Sequence, residues 1–192
     1  MIKLSPVTKC VTAAVCMALC VILPLAVHGI PNAGTLLSPM HLPVLLCGLV
    51  CGWPYGLICG LIGPLLSSMI SSMPPAGPIL YGMLVELAFY GLISGLLMQL
   101  IHTGKTTADL YISLTAAMLA GRIAGGLAKA FFFSAGSYSF RVWATAYFVS
   151  TLPGILLQLL LLPVLYFALQ RAHLLPVRYP QKPAQSVRKR RF

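Results

Sequence analysis

Glu86 and Asp109 are the only carboxylates among 192 side chains, and Glu86 stands inside a long apolar run. A carboxylate in such a run is costly unless it faces a cavity, a counter-charge or a ligand. Candidate partners are few. Lys105, Arg122, Lys129 and Arg141 are the only Lys or Arg residues between the two basic flanks of the chain. Arg122, Gly125 or Gly126, and Lys129 share a helix face by their spacing, as do Met83, Glu86 and Tyr90. Depth counting at about 1.5 Å per residue places Glu86 about 10 Å below the outer surface. Arg122 reaches about the same level from the other side of a core about 30 Å thick. The two charges can therefore meet. Two readings stay open and can hold together: a buried pair fixing helix register, or groups lining an outward cavity and touching a ligand.

The outer half would hold Arg122, Lys129 and Arg141 against one Glu86. That excess suits a ligand with a carboxylate, a phosphate or many acceptors. Snorkelling of Lys129 to the interface is the plainer alternative for that residue. Asn32 and Thr35 in the first loop, His41 at the start of the second apolar segment and Tyr138 in the last outer loop are further candidates. Trp143 and Tyr147 read first as interface anchors.

These residues need a membrane to position them. Hydrophobic residues make up 59% of the chain, and mean hydropathy is +0.93. Two carboxylates cannot keep a soluble surface wet, so the outer surface faces lipid. Net charge is +11. Lys3 and Lys9 precede the first apolar run, and seven bases lie from Arg171 onward. These are cytoplasmic flanks under the positive-inside rule rather than a nucleic-acid surface.

Six apolar segments follow, near 10–27, 40–52, 55–72, 79–101, 109–133 and 142–171. The fold expected is all-α and integral to the membrane: a six-transmembrane-helix bundle with both termini cytoplasmic. Residues 1–175 form the membrane domain, and 176–192 form a basic, disordered cytoplasmic tail. The first run lacks a convincing A-x-A site and reads as a retained span. Trp53-Pro54 breaks the second segment from the third, giving a tight helical hairpin. The last exceeds the bilayer and should tilt or kink at Pro153 and Pro163. Arg141 then falls outside, one mild exception to the charge rule.

Small residues recur at helical spacing: Gly48, Gly52, Gly56 and Gly60, then Gly91 and Gly95, then Gly121 and Gly125. Such faces let helices approach closely. Ala14 and Ala18 form a separate small face near the cytoplasm, where a partner helix can dock. The six cysteines, from Cys10 to Cys59, read as small apolar packing residues, with no metal site. No P-loop, H-E-x-x-H or G-x-S-x-G motif and no carboxylate pair is present. Nothing supports an enzyme.

The run Ser38-Pro-Met-His-Leu-Pro-Val44, continuing to Gly56, carries a family likeness. So do Pro64-Leu-Leu-Ser-Ser68 with Met73-Pro-Pro75, Met83–Gly91, Met118–Gly125 and Leu152–Gln158. Together these resemble the S components of energy-coupling factor (ECF) transporters, over nearly the whole chain except the tail. The resemblance implies six helices and capture of one micronutrient from outside a bacterial cell. It also implies docking on a transmembrane coupling subunit that carries two ATP-binding subunits, so that ATP is used by partners and no cofactor belongs to this chain. Such proteins are thought to topple in the membrane to release substrate inside. The family's A-x-x-x-A docking motif matches Ala14 and Ala18. Its ligand site lies in the outer loops and outer halves of helices four to six, which overlaps Glu86, Arg122, Lys129 and Arg141; Tyr90, on the Glu86 face, is a further candidate contact. The Met-His-Leu-Pro-Val stretch leans toward cobalamin; pantothenate, pyridoxine-type compounds, riboflavin and thiamine precursors stay open. The alternative is a stand-alone channel or proton-coupled carrier using Glu86.

Overall fold

A computed structural model describes residues 4–27, 29, 33–132 and 140–179, and these are helical with no strand among them. α1 (Pro6–Ala26) starts where the Ser5 hydroxyl accepts the Thr8 N–H at 3.1 Å. Pro6 follows that cap, in the first turn, where a missing N–H is harmless. A short α2 (Ala33–Leu37) precedes α3 (His41–Cys51) and α4 (Trp53–Ser71). Then come α5 (Pro78–Leu100), α6 (Thr106–Phe132), a short α7 (Phe140–Ala144), a π-helical turn (Thr145–Val149) and α8 (Leu152–Arg171).

Five of these segments are long and apolar enough to cross a membrane. α3 is the shorter apolar helix; at about 1.5 Å per residue it reaches about 16 Å, half of a bilayer core. α3 and α4 form the hairpin expected at Trp53-Pro54. Its hinge is Gly52, whose φ of 93° only glycine adopts without strain. The last apolar segment runs as one span over Tyr147–Arg171 but changes from a π-helical turn to α8. The chain turns at Ser150–Thr151, and Pro153 sits in the first turn of α8, where it interrupts nothing.

α5 is central and packs against α3, α4 and α6. Half of the α5 and α6 spans is buried within the bundle, against 22% of α1, which makes α1 the most peripheral span. Glycines set the central contacts. A methyl at Gly91 would overlap the carbonyl oxygen of Gly56, one at Gly60 the carbonyl of Leu87, and one at Gly95 the backbone nitrogen of Trp53. The recurring glycines thus let α4 and α5 touch backbone to backbone. Cys16, Cys20, Cys47, Cys51 and Cys59 are buried where α1, α3 and α4 meet, as apolar packing requires. Outward-facing residues such as Leu127, Phe131, Leu160 and Val164 are apolar, the surface a lipid environment selects.

One end of the bundle is closed by an ion pair. Asp109, fully buried at the start of α6, accepts from the Thr103 N–H at 2.9 Å and its hydroxyl at 2.6 Å. Its other oxygen accepts from Arg178 Nε and from the Tyr179 hydroxyl, each at 2.7 Å. Arg178 also donates to the Ile101 carbonyl. The segment after α8 is therefore strapped to the α5–α6 connection, although sequence reading assigned 176–179 to the tail. Asp109→Ala would leave the Arg178 guanidinium against Ile101 without its counter-charge. The expected penalty is about 3–5 kcal/mol, read as a lower melting temperature in detergent.

Candidate functional site

At the opposite end, α3 begins beneath the turn at Ser38, whose φ is 45°. The buried amide of Gln158 in α8 donates to the Ser38 carbonyl at 3.5 Å. This holds the start of α3 inside the bundle, with His41 5% exposed. His41 Nε2 lies 3.5 Å from Glu86 Oε1. The His41 ring meets Tyr90 edge to face, with centroids 5.2 Å apart. Glu86 and Tyr90 stand one turn apart on α5, so one face delivers both to His41.

α6 makes room for them. A methyl at Gly121 would enter the Tyr90 ring and approach the Glu86 carbonyl at 2.8 Å; one at Gly125 would lie 2.8 Å from Glu86 Cβ. The small pair in α6 therefore admits a carboxylate and a phenol into the bundle, beyond simple helix packing.

Arg122 follows Gly121 and points elsewhere. Its Nη1 donates to the Thr151 hydroxyl at 2.6 Å, and Thr151 in turn donates to the Tyr147 carbonyl at 2.6 Å. The guanidinium also lies over the Phe148 ring, 5.6 Å from its centroid. Trp143 Nε1 donates to the Arg122 carbonyl at 3.4 Å, and its indole fills the space at Gly126. The Lys129 stem crosses Gly82, and its ammonium sits 4.7 Å from the Tyr147 centroid. Tyr147 and Phe148 both belong to the π-helical turn, a wide turn common where helices carry function.

The expected Glu86–Arg122 pair is corrected here. Glu86 pairs with His41, and among the described residues no Glu86–Arg122 ion pair forms within 4.0 Å. The depths agree, but successive helix residues are about 100° apart around the axis. Gly121 and Gly125 face α5, so Arg122 turns toward the segment before α8. Tyr90 remains within electrostatic reach of both charges.

Of the other expected site residues, Lys129 joins this assembly, and Arg141 is exposed and forms no ion pair among the described residues. Asn32 and Tyr138 lie outside the described residues. Thr151, Phe148 and Gln158 were missed. Gln158 carried a readable signal, being an amide flanked on both sides by the leucines of α8. Ala14 and Ala18 are both exposed on α1, whereas Ala13 beside them is 4% exposed and belongs to the core.

The assembly has unspent hydrogen-bonding capacity. His41 Nδ1, Arg122 Nε and Gln158 Oε1 are buried with no hydrogen-bond partner, and the Tyr90 hydroxyl lies between the Glu86 and Arg122 charges without a well-formed bond to either. Such atoms are uncommon in folded proteins, and here they cluster among charged groups. A separate cavity of about 460 Å³ lies at the Asp109 end, lined in part by Lys9, Gln99, His102 and Arg178. None of the expected ligand residues borders it.

A family model described as "ECF transporter, substrate-specific component" matches residues 8–166. No curated protein and no solved structure matches the chain.

Proposed function

The chain belongs to the substrate-specific components of ECF transporters, and on that premise we propose that it captures a vitamin or related micronutrient outside a bacterial cell. A transmembrane coupling subunit and two ATP-binding subunits would then drive delivery inward. Members of this family are transporter subunits rather than enzymes, and this one is a multi-pass membrane protein. The observation that supports capture is the buried polar assembly of His41, Glu86, Tyr90, Arg122 and Lys129 inside an otherwise apolar bundle. Polar groups there are expensive and mark a ligand path. Asn32, Arg141 and Tyr138 are kept as further ligand contacts on the strength of the sequence alone.

In this reading α3 counts as a short sixth span, paired with α4 by the Gly52 hinge. Both termini are cytoplasmic, so the Asp109 end faces the cytoplasm and the His41–Glu86 end faces outward. Lys3, Lys9 and the basic tail agree with that orientation. Ala14 and Ala18 dock the coupling subunit, and ATP is held by the partners. The family match names no substrate, and the lean to cobalamin gains no support from it.

Uptake by membrane vesicles tests the reading. With the coupling subunit and ATPases present, accumulation of the retained micronutrient should require ATP. Uptake by this chain alone, driven by a proton gradient and lost in Glu86→Gln, would replace the proposal with the proton-coupled carrier.

A further inference from the structure

The chain holds only two side-chain carboxylates, and the structure accounts for both. Asp109 is taken by Arg178 at one end, and Glu86 is shared with His41 at the other. Arg122 is 2% exposed and has no carboxylate within 4.0 Å among the described residues. Its Nε hydrogen is unspent, and its neighbours are all uncharged: the Thr151 hydroxyl, the Phe148 ring and the Tyr90 phenol. Lys129 is half-buried over Tyr147. Arg122 and Lys129 set two cations against the single carboxylate of Glu86, so at least one positive charge is unmatched within the bundle. A buried, unmatched cation is among the least stable arrangements a protein core can hold.

From this imbalance we infer that the substrate is an anion carrying a carboxylate or phosphate, and that Arg122 and Lys129 seat that group. The inference rests on the binding-subunit reading above. Arg122 supplies Nε–H and the planar guanidinium for a forked contact, and Lys129 supplies a second charge. Tyr90, His41 Nδ1 and Gln158 Oε1 are left for the uncharged part of the molecule. Ligand arrival then neutralises the site, and the ligand-free protein carries the strain.

That strain makes a prediction about sign. Arg122→Met keeps the stem's volume and removes the charge. The ligand-free variant should melt at or above the wild-type temperature in detergent, while affinity falls about ten- to hundred-fold. If Arg122 were a structural cation satisfied by Thr151 and Phe148, the variant would melt well below wild type, and the inference would fall. Matched compounds test the ligand class: pantothenate against pantothenol, nicotinate against nicotinamide, biotin against biotinamide, and pyridoxal phosphate against pyridoxal. An acid should raise the melting temperature where its uncharged twin does not, and Arg122→Met should erase the difference. Equal stabilisation by a twin would overturn the anion assignment and leave the binding-subunit reading intact. No response to any compound would count against both. Phosphatidylglycerol is the control for lipid phosphate. If it stabilises wild type and no acid adds to it, the anion is a headgroup and the substrate assignment fails.

Discussion

Ala14→Trp combined with Ala18→Trp is expected to reduce transport to background while leaving substrate affinity at the wild-type level. Both alanines are exposed on α1, the most peripheral span. A large side chain there meets no group of this chain's own core, because the inward residues of α1 are Ala13, Cys16, Cys20 and Pro24. The bundle should therefore fold and melt normally. A partner helix lying against a flat alanine face has no such freedom. Two indoles would hold it off by several ångströms, and close small-residue packing decays steeply with separation. The exposed Val7, Val11 and Val15 extend the same face along α1, so the docked area is more than two methyl groups. Checks are ATP-dependent uptake in vesicles, co-purification with the coupling subunit, and ligand affinity on the isolated chain. Retained uptake with both tryptophans present would remove α1 as the docking helix.

Gly91→Ala should cost the protein its fold, although helix propensity argues the other way. Alanine in place of a helical glycine is worth about 1 kcal/mol in favour of the helix. At this position the added methyl overlaps the Gly56 carbonyl oxygen and lies 2.9 Å from the Gly56 Cα. These are backbone atoms and cannot rotate away, so α4 and α5 must separate along the central seam of the bundle. The packing loss is expected to exceed about 3 kcal/mol and to outweigh the propensity gain. Size-exclusion profiles and melting temperature in detergent check this. Gly34→Ala is the control, since a methyl there meets nothing within 4 Å. A Gly91→Ala variant at least as stable as wild type would mean that the α4–α5 approach is looser than described.

How much of this was readable beforehand depends on which coordinate a residue controls. Hydropathy runs and depth along a helix axis are one-dimensional, and they located α1, the α3–α4 hairpin and the level shared by Glu86 and Arg122. Rotation about the axis is a tertiary property. It decided that Glu86 meets His41 and that Arg122 meets Thr151, because the Gly121–Gly125 face turned toward α5. Pairing across long sequence separations was equally hidden. Asp109 stands at the start of its apolar segment, and nothing local connects it to Arg178, 69 residues away. The change of helix type before α8 lies at Ser150–Thr151, two residues ahead of the proline that signalled a kink, because Pro153 is accommodated in the first turn of α8. Thr151 was overlooked for the same reason: a threonine at a helix start looks like a cap, and only the fold aims it at a guanidinium. The glycine periodicity was legible as close packing, but its second use at Gly121 and Gly125, making room for a carboxylate and a phenol, required the facing helix.

The central claim is that this chain by itself holds a small micronutrient. Mass spectrometry of molecules released from the detergent-purified chain, expressed alone in rich medium, tests it most directly. The account predicts one vitamin-like compound at close to one per chain, acidic in character, retained by wild type and lost from Arg122→Met. A folded, monodisperse chain that releases nothing, and that no micronutrient stabilises, would contradict it.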